Sequence, residues 1–187
     1  MNFLSNTKEA TVSKKISLVV IFLFSTLFFA ATTHAVQYYL HYPGNSILPN
    51  YPTYFYERNT QYGYFNHEDT IKGMYSTPVN FNTPFSGTFF IKSMGIRFRD
   101  SISDGHMEVK LIRRNIFSGA DAVVAEWDSG LTASNSIAQT VNVGTTTGYK
   151  LIDTKKFCYW LYVSFYKTGG NPGLNLILYQ VRIHYGT

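Results

Sequence analysis

Glu126 and Asp128, two residues apart, are the nearest thing in this chain to a catalytic pair. In a strand, side chains at i and i+2 share a face. Paired carboxylates roughly 5–9.5 Å apart are what glycoside hydrolysis uses. Two acids on an exposed strand are ordinarily a solvated face, and nothing else in the sequence converges on them. Asp100, Ser101, Ser103 and Asp104 put oxygen donors in one loop, and calcium takes about six to eight oxygens. The EF-hand spacing is absent, however, and Asp104-Gly105 is ordinary turn chemistry. His67-Glu68-Asp69 is a local cluster, but no His-x-His or His-Glu-x-x-His arrangement occurs to hold zinc. The glycine-rich Gly169–Gly173 turn lacks a following Lys-Ser/Thr, which excludes a phosphate loop. No Gly-x-Ser-x-Gly elbow exists. The reading is therefore not an enzyme: no catalytic residue, no metal site and no cofactor is assigned.

Tyrosine is the compositional outlier, with 15 in 187 residues. Its β-propensity and polar tip suit half-buried strand positions. The same rings can stack on a sugar face or a protein partner. Tyr51, Tyr54, Tyr56, Tyr62 and Tyr64 fall in a segment that need not be core, so they are the candidate ligand-binding residues. Aromatic rings beside a few hydrogen-bonding groups are the usual make-up of such sites. The net charge of +5 is mild and its cations are scattered. No basic stripe or nucleic-acid module is visible, so nucleic acid is not an expected partner.

The compartment is set by residues 14–35, KKISLVVIFLFSTLFFAATTHA. Lys14 and Lys15 precede an apolar run, and Thr33-His34-Ala35 ends it with small residues at the two positions a signal peptidase reads. A spanning helix wants about 20 apolar residues, and this run is shorter. Residues 1–35 are read as a cleaved signal peptide, with Val36 as the new N-terminus. The product is then secreted or periplasmic, with no membrane contact after cleavage. Cys158 is the single cysteine, so no internal disulfide can form, and burial is its expected state.

These residues must be carried by strands. Residues 36–69 hold Pro43, Pro49 and Pro52 among aromatics, which argues against a central strand. They read as an extended aromatic arm, with one short strand near Tyr54–Glu57. Residues 70–187 read as short strands between turns: 74–81 with Pro78 at an edge or bend, 88–99 kinked near Gly95, 107–114, 122–127, 137–143, 149–152, 157–166 and 174–185. In the 122–127 strand, Val123, Ala125 and Trp127 should alternate with Val124, Glu126 and Asp128. The 157–166 run, FCYWLYVSFY, is apolar almost throughout and suits a strand buried on both faces. About eight strands without an amphipathic helix give an all-β fold, an antiparallel two-sheet sandwich.

The order of particular segments carries a resemblance. Thr77-Pro78-Val79-Asn80-Phe81 is followed by the charged Met107–Arg113 and by Trp127-Asp128-Ser129-Gly130. The aromatic Tyr159–Val163 and the terminal Leu178–Ile183 complete it. Over residues 71–185 this resembles the jelly-roll-type β-sandwich modules of uncharacterised exported bacterial proteins. The resemblance implies a jelly roll and a role in surface contact or assembly, and it carries over no catalytic residue. The sequence thus describes a secreted binding or adhesion module for a carbohydrate or protein surface. Two alternatives stay open: a self-assembling extracellular protein whose arm covers a neighbour, making a homo-oligomer, and a carbohydrate-active enzyme.

Overall fold

In the computed structural model the described residues are 35–49, 56–59, 64–67, 73–82, 88–101, 105–131, 135–167 and 176–187. The chain falls into two units, Met1–Ala35 and Val36–Thr187, and the fold is that of the second. Of the segment read as an export signal, all but Ala35 lies outside the described residues.

Eight strands of seven or more residues make the frame. They are β1 (Gln37–Pro43), β5 (Gly73–Val79), β6 (Phe90–Asp100), β7 (Gly105–Asn115), β8 (Asp121–Asp128), β9 (Asn135–Gly144), β10 (Phe157–Lys167) and β11 (Leu176–Gly186). Three short strands join them: β2 (Leu48–Pro49), β3 (Tyr56–Asn59) and β4 (Tyr64–His67). The first sheet runs β3-β4-β11-β6-β9, with β1 also paired to β11; the second runs β2-β5-β10-β7-β8. All pairings are antiparallel. Numbered 1 to 8 in chain order, the long strands read 1-8-3-6 in one sheet and 2-7-4-5 in the other. That interleaving is the double Greek key of a jelly roll. The all-β, two-sheet expectation holds, and among the described residues the only helical pieces are the 3₁₀ turns Gly44–Ser46 and Ser129–Leu131.

The sheets meet through side chains of alternate residues. Met94, Ile96 and Phe98 of β6 and Val181, Ile183 and Tyr185 of β11 are buried from one side. Val109 and Leu111 of β7, Trp127 of β8 and Leu161, Val163 and Phe165 of β10 are buried from the other. Rings tie the layers: Phe98 lies 4.3 Å from Trp127, and Phe81 packs edge-on against both Tyr159 and Tyr185 at 5.0 and 5.1 Å. Edge-to-face contacts of this kind add about 0.5–1.5 kcal/mol beyond their buried area.

Several local expectations change. The proline-rich segment after Val36 opens with a seven-residue strand, because β1 pairs with β11 from Gln37–Gly186 to Pro43–Gln180. Its single proline closes the strand, so no interior ladder bond is lost. Gly186 has no room for a side chain, since a Cβ there would collide with the Val36 carbonyl. Gly95 is not a kink; it keeps register with Arg182 on one side and Asn142 on the other. The simple alternation in β8 fails because a bulge between the Leu111–Ala125 and Ile112–Val123 pairs buries Val124 and Ala125 together. Pro78 lies in β5 beyond the two residues paired by β2.

Asp100 and Ser129 are buried polar groups, 3% and 0% exposed, and Ser164 is buried as well. The Ser129 hydroxyl donates to the Asp100 carboxylate and accepts from the Met107 backbone N–H at 2.8 Å. One hydroxyl therefore links the end of β6, the start of β7 and the turn after β8, across the two sheets. Ser129→Ala deprives a buried carboxylate of this donor and should lower unfolding stability by about 1–3 kcal/mol. Urea denaturation measures it, and an unchanged midpoint would show that the pin does not matter.

Candidate functional site

β10 is a central strand, flanked by β5 and β7. Tyr159, Leu161, Val163 and Phe165 fill the core. The alternate set, Cys158, Trp160, Tyr162 and Tyr166, is half-buried on the outer face. The strand is therefore not apolar on both sides in the sense expected. Its outward rings carry polar tips and tolerate water, which is how so aromatic a strand covers only one core.

Register assembles the outer face in rows. Trp160 lies between Pro78 and Ile112, and Ile112 pairs with Val123. Tyr162 lies between Ser76 and Lys110, and Lys110 pairs with Glu126. A depression of about 390 Å³ opens over Ser76, Ile112, Arg114, Asp121, Trp160 and Tyr162. A second, of about 290 Å³, adjoins the other side of Trp160 and is lined in part by Asn80, Thr154 and Cys158. The indole is thus a wall shared by two open hollows. Cys158 is half-exposed there rather than buried, with its Sγ 3.7 Å from the Arg114 carbonyl.

The charges on this face are matched among themselves. Arg114 makes a two-pronged contact to Asp121, Nε at 2.6 Å and a terminal nitrogen at 2.7 Å, with its guanidinium 5.7 Å from the Trp160 ring centre. Lys110 sits between Glu108 at 2.7 Å and Glu126 at 2.9 Å. Burial pushes the Glu108 carboxyl up, but the hydrogen bond and charge of Lys110 outweigh it and leave the group below its ordinary value. The Asp121 carboxyl is also lowered, by its hydrogen bond to Arg114. At the far end His106 stacks on Tyr166 at 4.4 Å and approaches Asp128 at 3.9 Å.

Glu126 and Asp128 do share the outer face, as their spacing implies. Glu126 is engaged by Lys110, and Asp128 accepts from the Gly130 N–H at 2.8 Å. A general acid needs a carboxyl that stays protonated near neutrality, and Lys110 acts the other way on Glu108. Asp100 is turned inward to Ser129, while Ser103 and Asp104 lie outside the described residues. Among the described residues no three His, Cys, Asp or Glu side chains come together as metal ligands.

Of the tyrosines picked from the sequence, Tyr51, Tyr54 and Tyr62 lie outside the described residues. Tyr56 and Tyr64 fall in β3 and β4, where Tyr56 pairs with His67 and Tyr64 with Asn59, so the two are not cross-strand partners. Both strands belong to the first sheet, whereas Trp160 and Tyr162 belong to the second. Trp160 and Tyr162 do not stand out in the sequence, because every ring in FCYWLYVSFY counts as apolar. The signal was present: alternate residues from Cys158 on are Cys, Trp, Tyr, Ser and Tyr, all amphipathic or small.

No protein-family model matches the chain, and no curated protein matches it. Among solved structures, the C-terminal CBM6 of LamC, a marine laminarinase from Zobellia galactanivorans, aligns at 17% identity with a TM-score of 0.43, over 78% of this chain and 98% of that one. The GH26-CBM35 β-(1,4)-mannanase of Podospora anserina aligns at 14% identity and a TM-score of 0.39, over 78% of this chain and 27% of that one. The family 11 carbohydrate-binding module from Clostridium thermocellum aligns at 6% identity and a TM-score of 0.37, over 82% and 91%. The strand order itself defines the class: a jelly-roll β-sandwich with an open aromatic face.

The Glu108–Lys110–Glu126 network has a pH consequence. A carboxyl whose folded value lies below the unfolded one stabilises the fold fully above the unfolded value, 4.5 for Glu108, and loses that contribution as pH falls through the folded value. Glu108→Gln should lower the melting temperature at neutral pH and leave a shallower loss of stability below pH 4.5. Thermal melts across pH check this; parallel curves for the two proteins would contradict it.

Proposed function

We propose that this chain is an exported, non-catalytic module that binds a carbohydrate on the outer face of its second sheet, with Trp160 and Tyr162 as the sugar platform. The observation that carries the reading is their placement. Trp160 and Tyr162 stand two residues apart on the solvent side of a central strand; both line a hollow of about 390 Å³, and Trp160 also lines a second of about 290 Å³. A strand needs only one apolar face to build a sandwich, so the second is surplus to folding. Flat rings present apolar surface to a pyranose face, while Ser76, Lys110 and the Arg114–Asp121 pair offer donors and acceptors for hydroxyls. Arg114 and Asp121 hold one another in a fixed fork, which limits the rotamer entropy lost when a ligand orders them. The absence of catalysis is supported by the ion pairing of Glu108 and Glu126, whose carboxylates are engaged rather than poised for proton transfer.

Affinity electrophoresis and calorimetry against a panel of neutral polysaccharides test the site. Trp160→Ala should abolish or weaken binding by roughly 1–3 kcal/mol, as for the loss of one stacking ring, with an unchanged melting transition. Trp160→Tyr should retain part of it. Wild-type protein that binds no glycan, or Trp160→Ala that binds as wild type, would sink the proposal. Alanine variants of Tyr51, Tyr54, Tyr56, Tyr62 and Tyr64 are the comparison set. Loss there with Trp160→Ala intact would move the site to the N-terminal arm.

Export rests on residues 14–35. The cleaved product expressed in a bacterial host should be found outside the cytoplasm and should begin at Val36. N-terminal sequencing reads this directly, and an intact Met1 on the exported product would contradict it.

A further inference from the structure

The outer face of the first sheet differs in charge from that of the second. Arg97 and Arg99 of β6 and Arg182 of β11 make no ion pair among the described residues; the four ion pairs all lie on the second sheet. Lys92 donates to the Thr187 carbonyl at 3.1 Å and lies 5.5 Å from the Phe90 ring centre. The described residues of β1, β6, β9 and β11 place no carboxylate on this face, since Asp100, their one acid, is buried; Glu57 of β3 lies in the Arg99 row, three strands away through Ile177 and Asn66. The field is felt within the face: His184 is lowered first by its burial and then by the charges of Lys92 and Arg182.

Arg182 pairs with Gly95, and Arg97 lies two residues further along β6. Diagonal neighbours of that kind are about 7–8 Å apart, and Arg97 and Arg99 are about 6.6 Å apart along the strand. The arginines therefore form an oblique line. Neutral polar groups accompany it, with Gln180 paired to Arg97 and Thr140 paired to Arg97 from the other side. Gly95 lets two of these groups converge. A Cβ there would lie 2.9 Å from Asn142 Oδ1 and 3.6 Å from Arg182 Nε. At the upper end Tyr39 stacks on His184 at 4.7 Å, lies 5.3 Å from the Arg182 guanidinium and is 47% exposed.

We propose that this face is a second binding surface, for an acidic polysaccharide that carries carboxylate or sulfate groups between hydroxyl-bearing positions. The proposal rests on the reading of the protein as a glycan binder but uses a different sheet. Guanidinium groups match both anions in a two-pronged geometry. The amide and hydroxyl groups of Asn142, Gln180 and Thr140 suit the uncharged part of such a polymer. A second copy of the chain is a poorer fit, because Glu108, Glu126 and Asp121 on its second sheet are each already engaged by Lys110 or Arg114, which leaves a single net negative charge among the five groups. Nucleic acid is the other polyanion these arginines could meet, and the oligonucleotide competition below distinguishes it.

Affinity electrophoresis of the full protein in gels containing a polyuronate or a sulfated polysaccharide is the test. Wild type should be retarded, and less so as salt rises. The double variant Arg97→Gln/Arg182→Gln should bind these polymers roughly tenfold or more weakly. Gly95→Ala, which keeps every charge but displaces Asn142 or Arg182, should also weaken them. Trp160→Ala should leave this binding intact. Unretarded wild type, an unaffected double variant, or equal competition by a single-stranded oligonucleotide of the same charge would overturn the proposal. Loss of acidic-polymer binding in Trp160→Ala would overturn it as well, by showing one site instead of two. If Trp160→Ala leaves neutral-glycan binding unchanged while the arginine variant loses the acidic polymer, the site on the second sheet fails and this one stands.

Discussion

The shared dry layer between the two sheets is the constraint from which the rest follows. Phe98 against Trp127, and Phe81 wedged between Tyr159 and Tyr185, make that layer continuous. Except at bulges such as that burying Val124 with Ala125, each long strand offers alternate residues to it. Every strand therefore has a second set of side chains that the core does not use. The chemistry of the protein lies in what those leftover positions contain.

On the second sheet the leftover positions of β10 carry Trp160, Tyr162 and Tyr166, and the flanking strands carry self-matched charges. On the first sheet they carry arginines that make no ion pair among the described residues. The two faces cost the fold differently. Ion pairs on an open sheet contribute modestly to stability, typically up to about 1 kcal/mol. Unmatched arginines contribute nothing of that kind and repel one another weakly. Neither arrangement is needed to close the sandwich, which is why each is more readily understood as a surface for something else. The polar pin between Asp100 and Ser129 is the opposite case, a buried interaction that serves only to hold the layers together.

Much of the architecture was legible in the chain. Alternation in the 107–114 and 181–185 segments, the turn pairs between runs and the lack of a helical period are local signals, and they led to an all-β sandwich. The proposed binding surface was less legible. The tyrosines between 51 and 64 stood out by density, whereas Trp160 and Tyr162 were hidden in a run where inward and outward residues are equally aromatic. Hydropathy cannot separate Tyr159, 2% exposed, from its outward neighbours when all are rings.

Strand existence, the absence of metal and nucleophile motifs and the expectation of export follow from residue type and near spacing, because each depends on residues within a few positions along the chain. Which face of β10 meets water, the bulge that buries Val124 with Ala125, the pairing of β1 with β11 and the gathering of Arg97, Arg99 and Arg182 on one surface depend on which strands become neighbours. That choice is made by packing between segments far apart in sequence, where register and sheet order, rather than local preference, decide what each side chain faces.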